Sequence, residues 1–204
     1  MTEEPRAGRV GEPVEQLEAG GWVLAEESAE TLFELSAARV EGLTRVYEDA
    51  DLRRAVREAT GADRLCRFFF ATVVEFSPAL SPGIAPVIKP TVSSEARREF
   101  ANDLRERGFA NVERGRTRNV RVDSGARARL TDYRAVYPLR TDAASVDLRI
   151  RGFLAVWLDG EFRIAGGAYP ESGLGDLLAG RDVDAEPDGN VYREELLELI
   201  RATG

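Results

Sequence analysis

The chain has 204 residues, 43% of them hydrophobic and 31% charged, so it is long enough to bury one core without disulfides or structural metals. It contains no histidine and one cysteine, which excludes a Ser-His-Asp triad, imidazole metal ligands and a thiolate zinc site. The formal net charge of -8 argues against a nucleic-acid partner, because such binding depends on clustered lysine and arginine.

The N-terminal residues are polar, and we expect a disordered lead over residues 1–12 followed by a single domain over residues 13–204. No stretch reaches the roughly 18 apolar residues of a membrane span. No apolar secretory signal is visible at the start of the chain. The sequence therefore predicts a cytoplasmic protein without a membrane span.

The first elements of the domain are predicted to be a short helix and a β-hairpin. Residues 13–19 have apolar side chains at helical spacing, and two glycines follow them. Residues 22–35 and 39–47 are rich in strand-forming residues and predict the two strands of the hairpin.

A second helix and a buried strand follow. Asp51 is the expected N-cap of a helix over residues 52–59, and Gly61 is the expected residue just beyond its end. Residues 65–76 are dominated by aromatic and β-branched side chains, which predicts a strand buried on both faces. Cys66 lies in this run, and we expect a small buried side chain and not a reactive thiol.

Residues 78–93 carry four prolines, which are Pro78, Pro82, Pro86 and Pro90. Proline removes a backbone donor and fixes φ, so we expect a loop there and neither a central strand nor a long helix. Because this loop is apolar, it is either a flap that packs over the edge of the core or a lid over a ligand. The candidate ligand- or partner-binding residues are Leu80, Ile84, Val87, Ile88 and Lys89.

The clearest predicted helix covers residues 95–107, with Ser94 as its N-cap and Gly108 just beyond its end. Phe100 and Leu104 belong to its apolar stripe, so we expect them to be buried against a sheet. Four alternating strands are then predicted over residues 117–122, 130–139, 146–158 and 161–169. A last helix is expected to be capped by Asp188 or Asn190.

Strands joined mostly by hairpins, with helices between them, predict an α+β fold: an antiparallel sheet of six or seven strands with helices packed on it. No residue set in the sequence assembles a recognisable catalytic or metal site, and no cofactor is expected. Asp182 and Asp184 could bind a hard cation, but an EF-hand loop needs more ligands in a fixed pattern, so a solvated acidic loop is the better interpretation.

Two resemblances rest on longer stretches of the chain. The run from Ser94 to Pro170, with LTDYRAVYPL and a hairpin around Asp-Gly, resembles the second half of PsbP-like domains. The segments GWVLAEESAETLFEL, VYEDADLR, FFFATVVEFSP and DYRAVYPL are similar to a haloarchaeal family of uncharacterised proteins, some of them lipoproteins, over residues 20–170. These resemblances imply a PsbP-like fold and a non-enzymatic binding or assembly role, and they supply no catalytic residues.

The balance of charged residues points to the same cellular setting. Lys89 is the only lysine, and acidic residues outnumber basic ones by 36 to 28. A negative surface keeps protein molecules apart, and molar salt screens the repulsion within each molecule. We therefore expect a halophilic protein that is more stable at high salt.

Three functions remain open. The first is a non-catalytic binding or interaction module of a halophilic cell, whose partner is an unknown protein or small molecule. The second is a carrier with an apolar pocket under residues 78–93. The third is a hydrolase that uses carboxylates, which two convergent acids in a cleft would favour.

Overall fold

The computed structural model describes residues 10–35, 38–81, 83–142, 145–178 and 188–204. The acidic loop predicted around residues 182 and 184 lies outside these ranges. The strands are β1 (Trp22–Leu35), β2 (Ala38–Asp49), β3 (Phe68–Ser77), β4 (Ala110–Arg121), β5 (Arg127–Arg140), β6 (Ser145–Asp159) and β7 (Glu161–Ser172). The helices are α1 (Val14–Ala19), α2 (Ala50–Thr60), α3 (Ile84–Glu106), α4 (Leu174–Leu178) and α5 (Gly189–Ala202).

The strands form one antiparallel sheet in the order β1-β2-β3-β7-β6-β5-β4. Two meanders, β1 to β3 and β4 to β7, meet where β3 pairs with β7. Helix α3 connects the two meanders, because it follows β3 and precedes β4 in the chain. The predicted α+β fold, with an antiparallel sheet of six or seven strands and helices packed on it, is confirmed.

Helices cover both faces of the sheet. On one face, α2, α3 and α4 enclose a core that includes the predicted Phe100 and Leu104, which are 4% and 1% exposed. On the other face, α1 and α5 pack over Trp22 and Trp157. Because α3 packs mainly against β6 and β4, it leaves a cleft beside it over the first meander.

The loop predicted for residues 78–93 is wrong from residue 84 onward, because α3 begins at Ile84 and continues to Glu106. Pro86 is the third helical residue, where a missing N–H breaks no bond within the helix. Pro90 does lie inside the helix, at a cost that burial of neighbouring side chains offsets. Val92 is fully buried, and Ile88 packs against the same core, so tertiary packing decides the helical state.

Glycine predicts the C-terminal ends of α2 and α3 correctly, whereas Ser94, the predicted N-cap of a helix over residues 95–107, lies inside α3. Gly61 follows α2 with φ of 74°, and Gly108 follows α3 with φ of 91°. The amide of Phe109 donates to the carbonyl of Leu104 at 3.0 Å, as a Schellman turn requires. The N-cap of α2 is Asp49 and not the predicted Asp51, because the side chain of Asp49 accepts a hydrogen bond from the amide of Leu52.

The chain is already packed at residue 10, which corrects the last three residues of the predicted disordered lead. Val10 is fully buried, and its carbonyl accepts a hydrogen bond from Arg163. Glu12 forms an ion pair with Arg45. Residues 1–9 of the predicted lead lie outside the described residues.

A buried arginine ties α5 to the sheet. Arg67 is 6% exposed and donates to Asp49 at 2.6 Å and to Glu195 at 2.5 Å. Its guanidinium carbon lies 4.7 Å from the ring of Trp22 and 4.0 Å from that of Tyr192. The charge is thus paired on two sides and stacked on two others, which makes it a structural group.

Two further expectations concern Cys66 and the membrane. Cys66 is buried beside β3, and burial raises the pKa of its thiol to about 12, so it is a poor nucleophile.

Among the helices that the structure describes, none is long and apolar enough to cross a membrane.

Candidate functional site

A cleft with a volume of about 330 Å³ lies over the first meander. One wall is the second half of α3, and the other wall and the floor come from β1, β2, β3 and their neighbours β6 and β7. A volume of this size lies at the lower end of the range for small-molecule sites, about 300–1,000 Å³.

The floor of the cleft is apolar and aromatic. Phe68, Phe70 and Thr72 alternate along β3 and therefore share the face that looks into the cleft. The Phe70 ring packs against Phe100 of α3, with 5.7 Å between the ring centroids. Gly166 faces Phe70 on β7, and a side chain there would begin 2.9 Å from the ring, so glycine makes room for it.

Hydroxyl groups cross the floor between β2 and β3. Thr44 and Thr72 are opposite each other in the sheet, and their hydroxyl oxygens are hydrogen-bonded at 2.8 Å. Ser28 and Thr31 add hydroxyls on the β1 side of the cleft. These groups give a mostly apolar floor a small number of donors and acceptors, which is the usual composition of a ligand site.

The rim of the cleft is acidic on both sides. Glu26 and Glu30 are each two residues from Ser28 on β1, so the three side chains lie on the same face of the sheet. On α3, the acids at positions i, i+4 and i+7 form a stripe that faces them: Glu99, Asp103 and Glu106. The rim therefore holds five carboxylates and one arginine, Arg107, and it attracts cations.

Arg107 lies across the rim. Its Nε donates to Asp103 of α3 at 2.9 Å, and a terminal nitrogen lies 3.8 Å from a carboxylate oxygen of Glu26 on β1. The guanidinium carbon is also 5.4 Å from the centroid of the Phe68 ring, within the range of a cation–π contact. The cleft thus already holds one positive group between two acids and an aromatic ring.

The residues predicted as a binding site lie elsewhere. Leu80 and Ile88 pack against the core, whereas Ile84 and Val87 are 40% and 71% exposed on the first turns of α3. Lys89 lies with its ammonium group 3.4 Å from the carbonyl of Arg127. No described residue between 78 and 93 lines this cleft, and a pocket under that segment stays a prediction.

One pattern among the cleft residues is visible in the sequence. The acidic stripe on α3 has helical spacing and lies within the correctly predicted helix at residues 95–107. Its meeting with Glu26 could not be predicted, because it depends on which part of the sheet the helix leaves uncovered.

Fold and cleft together define an α+β protein with one antiparallel sheet, helices on both faces and an acidic cleft on one of them. The chain belongs to the family described as Domain of unknown function (DUF6517), which matches residues 9–204. No curated protein and no solved structure matches the chain in the same comparisons. The resemblance to PsbP-like domains and to haloarchaeal proteins stays a prediction.

Proposed function

We propose that this protein is a non-catalytic binding module that takes a small ligand with an apolar body and a positively charged group into the cleft. The observation that carries the proposal is the position of Arg107, held over Phe68 between Asp103 and Glu26. A ligand cation that enters the rim meets the same carboxylates and the same ring. Its apolar body then covers the aromatic floor formed by Phe70 and Phe100.

The apolar floor favours a small molecule over a purely ionic ligand. Exposed ion pairs each contribute at most about 1 kcal/mol, whereas burial of apolar area contributes about 25 cal/mol per Å². The rim charges therefore select the sign of the ligand's charge, and burial of apolar area on the floor supplies most of the affinity. This combination replaces the carrier of a purely apolar ligand that the sequence suggested.

The carboxylates of the rim also bear on the hydrolase hypothesis. A general acid at neutral pH needs a carboxyl group that keeps its proton, which requires an apolar site or a like-charged neighbour. Glu26 and Asp103 instead both lie within ion-pair distance of the guanidinium of Arg107. The arrangement therefore supports binding and gives the hydrolase no equivalent support.

Three probes with the same ring and different charge test the proposal: 2-phenylethylammonium, 2-phenylethanol and 3-phenylpropionate. Ligand-observed NMR titrations in low salt should give the cation an affinity on the order of tenfold higher than the anion, because rim charges interact weakly through solvent. Glu26→Gln and Asp103→Asn should each weaken binding of the cation about threefold or more.

Glu75→Gln is the matched control, because Glu75 is an exposed acid on β3 that does not line the cleft. The control should bind all three probes as the unaltered protein does. Equal affinities for cation and anion, or a loss in the control as large as in the cleft variants, would show that the rim does not select a ligand.

A further inference from the structure

A second polar cluster lies at the opposite edge of the sheet from the cleft, where β4 is the edge strand and β5 its neighbour. The pairing of these strands places Arg114 opposite Tyr133 and Asn119 opposite Arg129. Arg129 and Tyr133 are four positions apart on β5 and so lie on the same face, the one that α3 covers. The side chains of Arg114 and Arg129 are both exposed on this face.

The third arginine of the cluster lies on a helix. Arg97 belongs to α3, and its carbonyl accepts a hydrogen bond from the hydroxyl of Tyr133 at 3.0 Å. Burial lowers the pKa of Arg97, and the positive charges of Arg129 and Arg114 lower it further. The Nε of Arg97 is buried and has no hydrogen-bond partner. Arginines from three elements are thus close enough to interact electrostatically, and one donor of Arg97 has no partner.

The arginines of this cluster differ from others in the chain. Arg45, Arg53 and Arg67 each contact two carboxylates. For Arg97, Arg114 and Arg129, no carboxylate within the described ranges lies within ion-pair distance. Like charges held together without counter-charges disfavour folding, and this protein has a surplus of acids available.

Protection of an edge strand does not account for the whole arrangement. Charged side chains on an edge strand prevent its pairing with other chains, and this explains exposed arginines on β4. It does not explain Arg129, which is on the inner strand β5, or Arg97, which is on a helix. Arg97 and Arg129 nevertheless interact electrostatically although neither belongs to the edge strand.

We propose that Arg97, Arg114 and Arg129 bind a phosphate group. The planar fork of arginine matches the oxygens of phosphate, and a dianion offsets the repulsion among several guanidinium groups. The buried Nε of Arg97 supplies a donor of fixed position for one oxygen. Three arginines are enough to bind a single phosphate group, whereas a nucleic acid needs a track of cations along its backbone.

Isothermal titration calorimetry on the full chain, at constant ionic strength in KCl, tests the proposal with inorganic phosphate and glucose 6-phosphate. Both should bind, and Arg114→Gln and Arg129→Gln should each weaken binding about tenfold or more. Arg118→Gln is the control, because Arg118 is an exposed residue of β4 opposite Leu130, which belongs to the core of the other face. It should change the affinity less than about twofold.

The relative affinities of the two probes identify the source of the phosphate. Tighter binding of the sugar phosphate supports a phosphorylated metabolite as the ligand, and equal binding supports recognition of the phosphate group alone. No binding of either probe, or an equal loss in the Arg118→Gln control, overturns the proposal.

Thermal unfolding without phosphate gives a second readout. Removing one of three mutually repelling charges should leave the melting temperature of Arg129→Gln unchanged or raise it, and phosphate should raise the melting temperature of the unaltered protein more than that of this variant. A variant that melts earlier in the absence of phosphate would assign the arginines a structural role and overturn the proposal.

Discussion

Arg107 places a positive charge at the acidic rim of the cleft. It follows the last residue of α3 and reaches across to Glu26 on β1, so it connects the two walls. Its contact with Phe68 shows that a positive group over that ring is compatible with the local charges. A ligand cation has to share this position with Arg107 or displace it.

Replacing Arg107 should therefore strengthen the binding of a cation. Arg107→Met keeps an unbranched apolar stem and removes the competing charge, so 2-phenylethylammonium should bind several-fold more tightly, on the order of three- to tenfold. Arg54→Met is the control, because Arg54 is an exposed arginine of α2 that pairs with Asp51, and neither residue lines the cleft. Weaker binding in the Arg107 variant would mean that this arginine holds the cleft in shape and does not compete.

At the scale of elements, α3 is where sequence and structure differ most. The four prolines predict a loop over residues 78–93. The local cost of proline in a helix is present, because Pro90 lacks the amide that would donate to the carbonyl of Pro86. The buried side chain of Val92 and the contacts of Ile88 with the core outweigh this local cost. Such tertiary contacts cannot be read from a window of the sequence.

A pair of proline substitutions tests the helix directly. Pro90→Ala restores a backbone hydrogen bond and removes a steric clash, so it should raise the free energy of unfolding by about 1–3 kcal/mol. Pro86→Ala is the control at the third helical position, where no such bond is missing, and it should change stability by less than about 1 kcal/mol. Chemical denaturation measures both. A destabilised Pro90→Ala variant would contradict a helix through this position.

At the scale of the whole molecule, local signals predicted most of the elements but not their arrangement. The Asp159–Gly160 turn was predicted, and Gly160 has the positive φ of 71° that such a turn requires. The pairing of β3 with β7 joins residues far apart in the chain, and no turn specifies it. The cleft depends on that pairing and on the path of α3, so its floor and rim could not be assembled from sequence.

The acidic surplus gives a prediction for the whole molecule. In molar KCl the Debye length falls to about 3 Å, which screens long-range repulsion among acids more than it weakens ion pairs in contact. The melting temperature should therefore be higher in molar KCl than in dilute buffer. Sorbitol at equal osmolality is the control. A melting temperature that stays flat or falls with KCl would contradict the expectation of a halophilic protein.

The most direct test of the cleft as the binding site is an NMR titration of ¹⁵N-labelled protein with 2-phenylethylammonium. We predict that the largest changes in amide chemical shift occur at Ser28, Thr44, Thr72 and Asp103, which line the two walls and the floor. Changes centred on Ile84 and Val87, at the exposed start of α3, would contradict the account and place binding on the first turns of that helix.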